Sequence, residues 1–122
     1  MNELSPSDRR LHMSPDERVT IIDRLRKWKD KPHRIHHQTI GILVQADGKL
    51  EQSALVQAVG HTTRSANPYG IVRSLMTTKG KNHGRVFVCK DGVLHFHPDI
   101  LDEVMRHRWT VGHGQKPRRD FA

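Results

Sequence analysis

The sequence predicts a small α+β domain in which helices pack on a two-stranded β-hairpin, flanked by an extra N-terminal helix and a C-terminal helix. Three observations carry that expectation. Lys90-Asp91-Gly92-Val93 places the Asp-Gly pair of a two-residue type I′ turn in a β pattern, and both central positions of that turn need positive φ. Apolar residues recur at helical spacing twice, at Val19, Ile22, Leu25 and Trp28, and again at Leu50, Ala54, Leu55, Ala58 and Val59. The chain has 122 residues, 34% of them hydrophobic, which fits one small core with polar ends.

The elements follow in order. Residues 1–13 are polar, without periodicity, and read as a flexible arm. Residues 14–31 read as the first helix, with Ser14 as N-cap, Pro15 at the first helical position and Asp16 and Glu17 in the first turn. Glu17 also completes a capping-box spacing with Ser14, and Pro32 stops the helix. The core spans residues 39–98. Its opening run, Thr39 to Ala46, is apolar and fits either a helix or a strand, and Asp47-Gly48 breaks it. Residues 50–60 form a helix ended by Gly60 at C′. A polar turn follows over residues 61–66. The next helix spans residues 67–78, with Asn67 as N-cap and Tyr69, Val72, Leu75 and Met76 on one face. Residues 77–84 are basic and glycine-bearing, a loop.

The type I′ turn fixes the hairpin register within residues 85–98: Cys89 opposite Leu94, Val88 opposite His95, Phe87 opposite Phe96. Phe87, Cys89, Leu94 and Phe96 then form the apolar face that packs on the helices, while Val86, Val88, His95 and His97 form a mixed face. Asp99 is placed to cap a last helix over residues 99–109, through Ile100, Leu101, Val104 and Met105 to Trp109. Residues 111–122 are a basic tail that reads as disordered.

Charge narrows the function classes. Lys and Arg number 21 against 13 Asp and Glu, for a net charge of +8 and a pI near 10.3, a balance suited to a polyanion partner. Positions 52–90 hold no Asp or Glu, while Arg64, Arg73, Lys79, Lys81, Arg85 and Lys90 lie within them. A surface facing phosphates needs such a stretch, because a carboxylate there would repel the backbone it meets. No apolar run approaches the ~18 residues of a membrane span, and Met1 to Pro6 include no apolar h-region, so no secretory signal is expected. The single cysteine excludes an intramolecular disulfide. A cytoplasmic location and no membrane partner are expected.

From about residue 39 the order is an apolar segment, a helix, a turn, a second helix and a β-hairpin. That order resembles the winged helix-turn-helix superfamily of DNA-binding domains, with residues 50–60 as positioning helix, 67–78 as recognition helix and 85–98 as wing. The interval from Gly60 to Asn67 is longer than the ~3–4-residue turn of a tight helix-turn-helix. The resemblance implies a non-enzymatic DNA-binding protein, a small transcriptional regulator or accessory factor, with double-stranded DNA as partner and no cofactor. The residues agree with it. The Asn67 end offers unsatisfied N–H groups to a phosphate, and Thr62, Thr63, Arg64 and Ser65 before it suit backbone contact and some base reading. Arg73, opposite Val72 and Leu75, is placed to pair with guanine. Affinity is assigned to Arg64, Lys79, Lys81, Arg85 and Lys90 on phosphates, and sequence preference to Thr63, Asn67, Tyr69 and Arg73.

Other readings stand beside it. RNA is a second polyanion, and a basic face also suits an acidic protein, as an interaction module or inhibitor of a nucleic-acid machine. The first helix allows a homodimer, which would match a palindromic site. Of the ten histidines, His95 and His97 share a hairpin face, with His83 or His107 as a third metal ligand or as part of a ββα-metal nuclease. No Cys pair or His-Glu-x-x-His pattern supports a metal site, and none is assigned. Cys89, on the apolar hairpin face, is expected to be buried and inert. The histidines would add positive charge below about pH 6.5.

Overall fold

The computed structural model describes residues 12–80 and 82–111. The remaining residues of the arm and tail, and Lys81, lie outside the described residues. Helix α1 runs Pro15–Trp28. It is followed by α2 (Ile35–Gln45), β1 (Lys49–Glu51), α3 (Gln52–Thr63) and α4 (Pro68–Ser74). Two short strands, β2 (Met76–Thr77) and β3 (Gly84–Arg85), pair antiparallel across the loop they enclose. Then come β4 (Phe87–Lys90), β5 (Val93–Phe96), a 3-10 turn (Pro98–Ile100) and α5 (Leu101–Arg106). Helices packed on a small antiparallel sheet make this an α+β fold, with strand order β1-β5-β4 in the sheet.

The hairpin has the expected register, with Phe87↔Phe96, Val88↔His95 and Cys89↔Leu94. Asp91 and Gly92 take φ of 54° and 80° at its turn, as type I′ geometry demands. The third strand is new: Leu50 belongs to β1 and partners Leu94, so it is not the first residue of a helix. Three residues are too few to show a period, and their partners lie far along the chain.

Thr39 to Ala46 resolves as the body of α2, which begins earlier, at Ile35. Every residue from His36 to Leu43 is buried, because α1, α3 and the C-terminal segment enclose the helix. A helix buried all round loses the one-sided pattern by which a surface helix is recognised. Gly41 is required here, since a Cβ would lie 2.9 Å from the Thr110 carbonyl oxygen.

The start of α1 follows its sequence signals in part. The Ser14 side chain accepts the Glu17 N–H at 3.1 Å, but Glu17 does not complete the capping box. Its carboxylate turns to Arg85, whose Nε and Nη2 each donate at 2.8 Å. The helix ends at Trp28, short of residue 31.

Helix α3 passes through Gly60 and ends at Thr63, with Arg64 in the left-handed conformation (φ 58°, ψ 27°) as its cap. Gly60 serves packing rather than termination: a Cβ there would meet Pro68 Cγ at 3.2 Å. The connection to α4 therefore shrinks to the four residues 64–67, within the compass of a tight helix-turn-helix. Helix α4 is shorter than expected and stops at Ser74, because Met76 and Thr77 turn into β2.

The core joins Leu25, Leu43, Leu55, Leu75, Phe87 and Leu94, all fully buried. Four of the expected core positions lie elsewhere. Tyr69 is 53% exposed, on the outward side of α4. Cys89 is exposed, because β4 is an edge strand and Cys89 sits near the turn end of the hairpin. Leu101 and Met105 face solvent, since α5 packs through Val104 and its neighbour Glu103 instead. The mixed hairpin face is closed as well: Val86, His95 and His97 are buried, and Glu17, Asp99 and Arg85 surround His97.

At the C-terminal end, His97 rather than Asp99 caps the turn, its Nδ1 accepting the Asp99 N–H at 3.0 Å. The Asp99 carboxylate accepts the Met13 N–H at 3.0 Å, so the end of the expected arm is pinned to the domain. Helix α5 ends at Arg106, and Trp109 beyond it is buried and donates from Nε1 to the Val104 carbonyl at 2.8 Å. His37 fastens the segment after it. The Thr110 N–H donates to His37 Nε2 at 3.0 Å, which leaves Nδ1–H to donate to the Trp28 carbonyl at 2.8 Å.

Candidate nucleic-acid interface

The α3–turn–α4 unit is built by a relay of short side chains. Thr63 Oγ1 donates to the Val59 carbonyl at 2.7 Å and accepts the Ser65 N–H at 3.3 Å. Ser65 Oγ accepts the Asn67 N–H at 3.1 Å, and Asn67 Oδ1 accepts the Gly70 N–H at 3.0 Å as N-cap of α4. Side chains of this type suit such work because they bond to nearby backbone in non-helical geometry. Thr63 and Ser65 are thus engaged in shaping the turn, and Thr62 is half-buried beside them.

Arg64, Asn67, Tyr69 and Arg73 are all exposed along the turn and α4. Tyr69 and Arg73 stand one helical turn apart, with the guanidinium carbon 5.9 Å from the ring centroid, a cation–π distance. The ring steadies the guanidinium without using its N–H donors. Val72, the residue before Arg73, is fully buried, and Arg73 faces outward.

Lys79 is exposed on the β2–β3 loop, where its N–H donates to Thr77 Oγ1 at 3.1 Å. That loop is anchored on α1 and α2 through His83. The His83 ring meets His36 edge-on at 4.4 Å and Trp28 at 5.4 Å, while His36 stacks on Trp28 at 4.8 Å. Arg24 donates to the His83 carbonyl, and Gly84, at φ 109°, lies so close to Ile21 that a Cβ would stand 2.9 Å from it. This aromatic clasp carried no signal in the sequence beyond an abundance of histidine.

Two of the expected phosphate contacts are changed by their surroundings. Arg85 is held by Glu17 through a bidentate pair and also donates to the His12 carbonyl at 3.1 Å, so it works inside the fold rather than as an outward anchor. That pair holds the Glu17 carboxyl below its usual range and raises Arg85. Lys90 is partly buried, and the hairpin end beside it is tied down: the Gln52 N–H donates to the Gly92 carbonyl at 2.9 Å. The hairpin leans on α3 instead of projecting as an independent wing.

That tether has an electrostatic result invisible in the linear sequence. Glu51 and Asp91 bound the acid-free stretch on either side, and the β1–β5 pairing brings both to one groove of about 820 Å³. The groove also takes in Gln52 and Val56 of α3, Val93 of β5 and Tyr69 of α4, with no Lys or Arg in its lining. The cationic surface therefore runs from Arg64 and Arg73, and the acidic groove bounds it at Tyr69.

The histidines are distributed structurally. Burial, followed by the charges of His83 and Arg34, pushes His36 down to about 4. Burial likewise lowers His83, His95 and His97, so these four add less charge near pH 6 than free imidazoles would. His107 contacts Glu103, which Arg26 and Arg106 also engage. The Arg26 hydrogen bond is the main reason that Glu103 falls to about 2. His83 and His107, the third ligands considered for His95 and His97, are therefore committed to other partners. Among the described residues no group of three or more His, Cys, Asp or Glu is arranged to hold a metal ion. No helix among them is long and apolar enough to cross a membrane. Comparison with known protein families, curated proteins and solved structures finds no match.

Proposed function

We propose that this is a non-catalytic nucleic-acid-binding protein of winged-helix type that takes duplex DNA, as a small regulator or accessory factor. The observation that carries the reading is the α3–turn–α4 unit: a four-residue turn that exposes Arg64 and Asn67, followed by a helix that exposes Tyr69 and Arg73, with no carboxylate among them. A guanidinium presented with its donors unspent suits a guanine edge in the major groove, and Lys79 on the anchored loop suits a phosphate. The element order α2-β1-α3-α4, then the short β2-β3 pair and the β4-β5 hairpin, with strand order β1-β5-β4 in the larger sheet, supports the superfamily resemblance. In this reading the wing takes a minor part, because the hairpin is tied to the start of α3.

The test is fluorescence anisotropy with random-sequence duplex DNA, duplex RNA and single strands over a range of salt. Preferential duplex-DNA binding with a steep salt slope is expected. Absence of binding to every nucleic acid at low salt would overturn the proposal and turn the search to an acidic protein partner.

A further inference from the structure

We infer that the groove beside Tyr69 is the docking site for the chain's own basic C-terminal segment, residues 112–122. The groove is lined by two acids and no base, on a chain of net charge +8. Glu51 and Asp91 at its margin make no ion pair among the described residues, although the chain has an excess of cations. Tyr69 adds a half-exposed ring, and Val56 and Val93 add apolar surface for the stem of a long side chain. Two carboxylates and an aromatic face form the chemistry that receives a guanidinium or ammonium group.

The segment supplies that chemistry. Pro117 separates Lys116 from the adjacent pair Arg118 and Arg119, and a proline favours extended backbone at the residue before it. His37 and α2 hold the chain at Thr110 and Val111. Arg119 lies eight residues beyond Val111, a reach of about 28 Å in an extended chain. A domain of this size has a radius of gyration of about 13 Å. Tethering also replaces a weak bimolecular contact with one at millimolar effective concentration, which surface ion pairs of modest strength require.

Cys89 provides the probe. It is the single cysteine, exposed on β4 two residues before Asp91, with its sulfur 3.8 Å from Gln52 Oε1. A nitroxide attached there in the full chain is expected to broaden the amide signals of residues 113–119. Those signals are expected to sharpen in the Glu51→Gln/Asp91→Asn double variant and at about 1 M salt, where screening shortens to ~3 Å. The double variant keeps the fold, because Asn suits the left-handed turn position as well as Asp does. In unlabelled protein, replacing Lys116, Arg118 and Arg119 together by Ser is expected to displace the amide signals of Val56, Tyr69 and Val93. Tail signals equally sharp, or equally broad, in wild type and the double variant would overturn the inference. So would unmoved groove signals in the Ser variant. Broadening that passes from spin-labelled chains to separate isotope-labelled chains in a mixed sample would give the groove to a second copy, and would overturn docking within one chain.

Discussion

Arg64→Gly separates the two jobs that one residue holds. Arg64 closes α3 at φ 58° and ψ 27°, a conformation that costs an L-residue with a Cβ roughly 1–2 kcal/mol. Glycine removes that cost, but loses about 0.4–1 kcal/mol through the greater freedom of its unfolded chain. The net expectation is a gain of roughly 0.5–1 kcal/mol in stability. For a domain near 100 residues this raises Tm by about 2–6 °C. The same substitution removes an exposed cation beside α4, so duplex affinity should fall and the log–log salt slope should flatten by about 0.9. Thermal and urea unfolding of wild type, Arg64→Gly and Arg64→Ala, with anisotropy on all three, separates the effects. Arg64→Ala keeps the Cβ, so it should lose the affinity without gaining the stability. Equal stability of the Gly and Ala variants would refute the strain argument, and an unchanged salt slope in both would remove Arg64 from the interface.

Four further outcomes are expected. Arg73→Ala should cost about 1–3 kcal/mol on a preferred duplex and relax preference at one base position; a selection experiment that returns the wild-type preference would exclude the reading role. Arg85→Ala should leave the salt slope intact and lower stability by about 1–2 kcal/mol, because Glu17 loses a bidentate partner in a pair still partly open to water; urea unfolding with anisotropy distinguishes this from a phosphate contact. His36→Phe should flatten the pH dependence of stability between about 6.5 and about 4. In that window the unfolded chain takes up the proton first, so wild-type stability falls as pH falls, and a parallel pH profile in the variant would count against burial as the cause. Glu103, lowered to about 2, stabilises fully above its ordinary value of 4.5 and progressively less as pH drops toward 2, so Glu103→Gln should remove that part of the acid slope in urea titrations.

The elements legible in the sequence are those specified by near neighbours. Asp91-Gly92 fixes the hairpin register, and Ser14-Pro15 fixes the start of α1, because both signals act within one turn of chain. The errors arise where distant residues decide. Gly60 resembles a terminator, yet α3 continues to an arginine in the left-handed position, while the glycine makes room for Pro68. At the candidate interface, the charges could be read directly but their commitments could not. Arg85 reads as an outward cation until Glu17, 68 positions away, is seen to hold it. The acid-free stretch is real along the chain, but strand pairing folds its two flanking acids back to the margin of the interface.

The three-residue strand β1 also sets an order of events. The β4–β5 hairpin closes on its own turn and belongs to the contacts that form early, whereas β1 must wait for chain from far downstream. Its few ladder bonds lie at a sheet edge, where local opening costs least. Because β1 passes into α3 without a loop, each opening also loosens the first turn of that helix. Hydrogen exchange should therefore show the amides of β1 and the α3 start exchanging as one cooperative unit, ahead of the hairpin against which they rest.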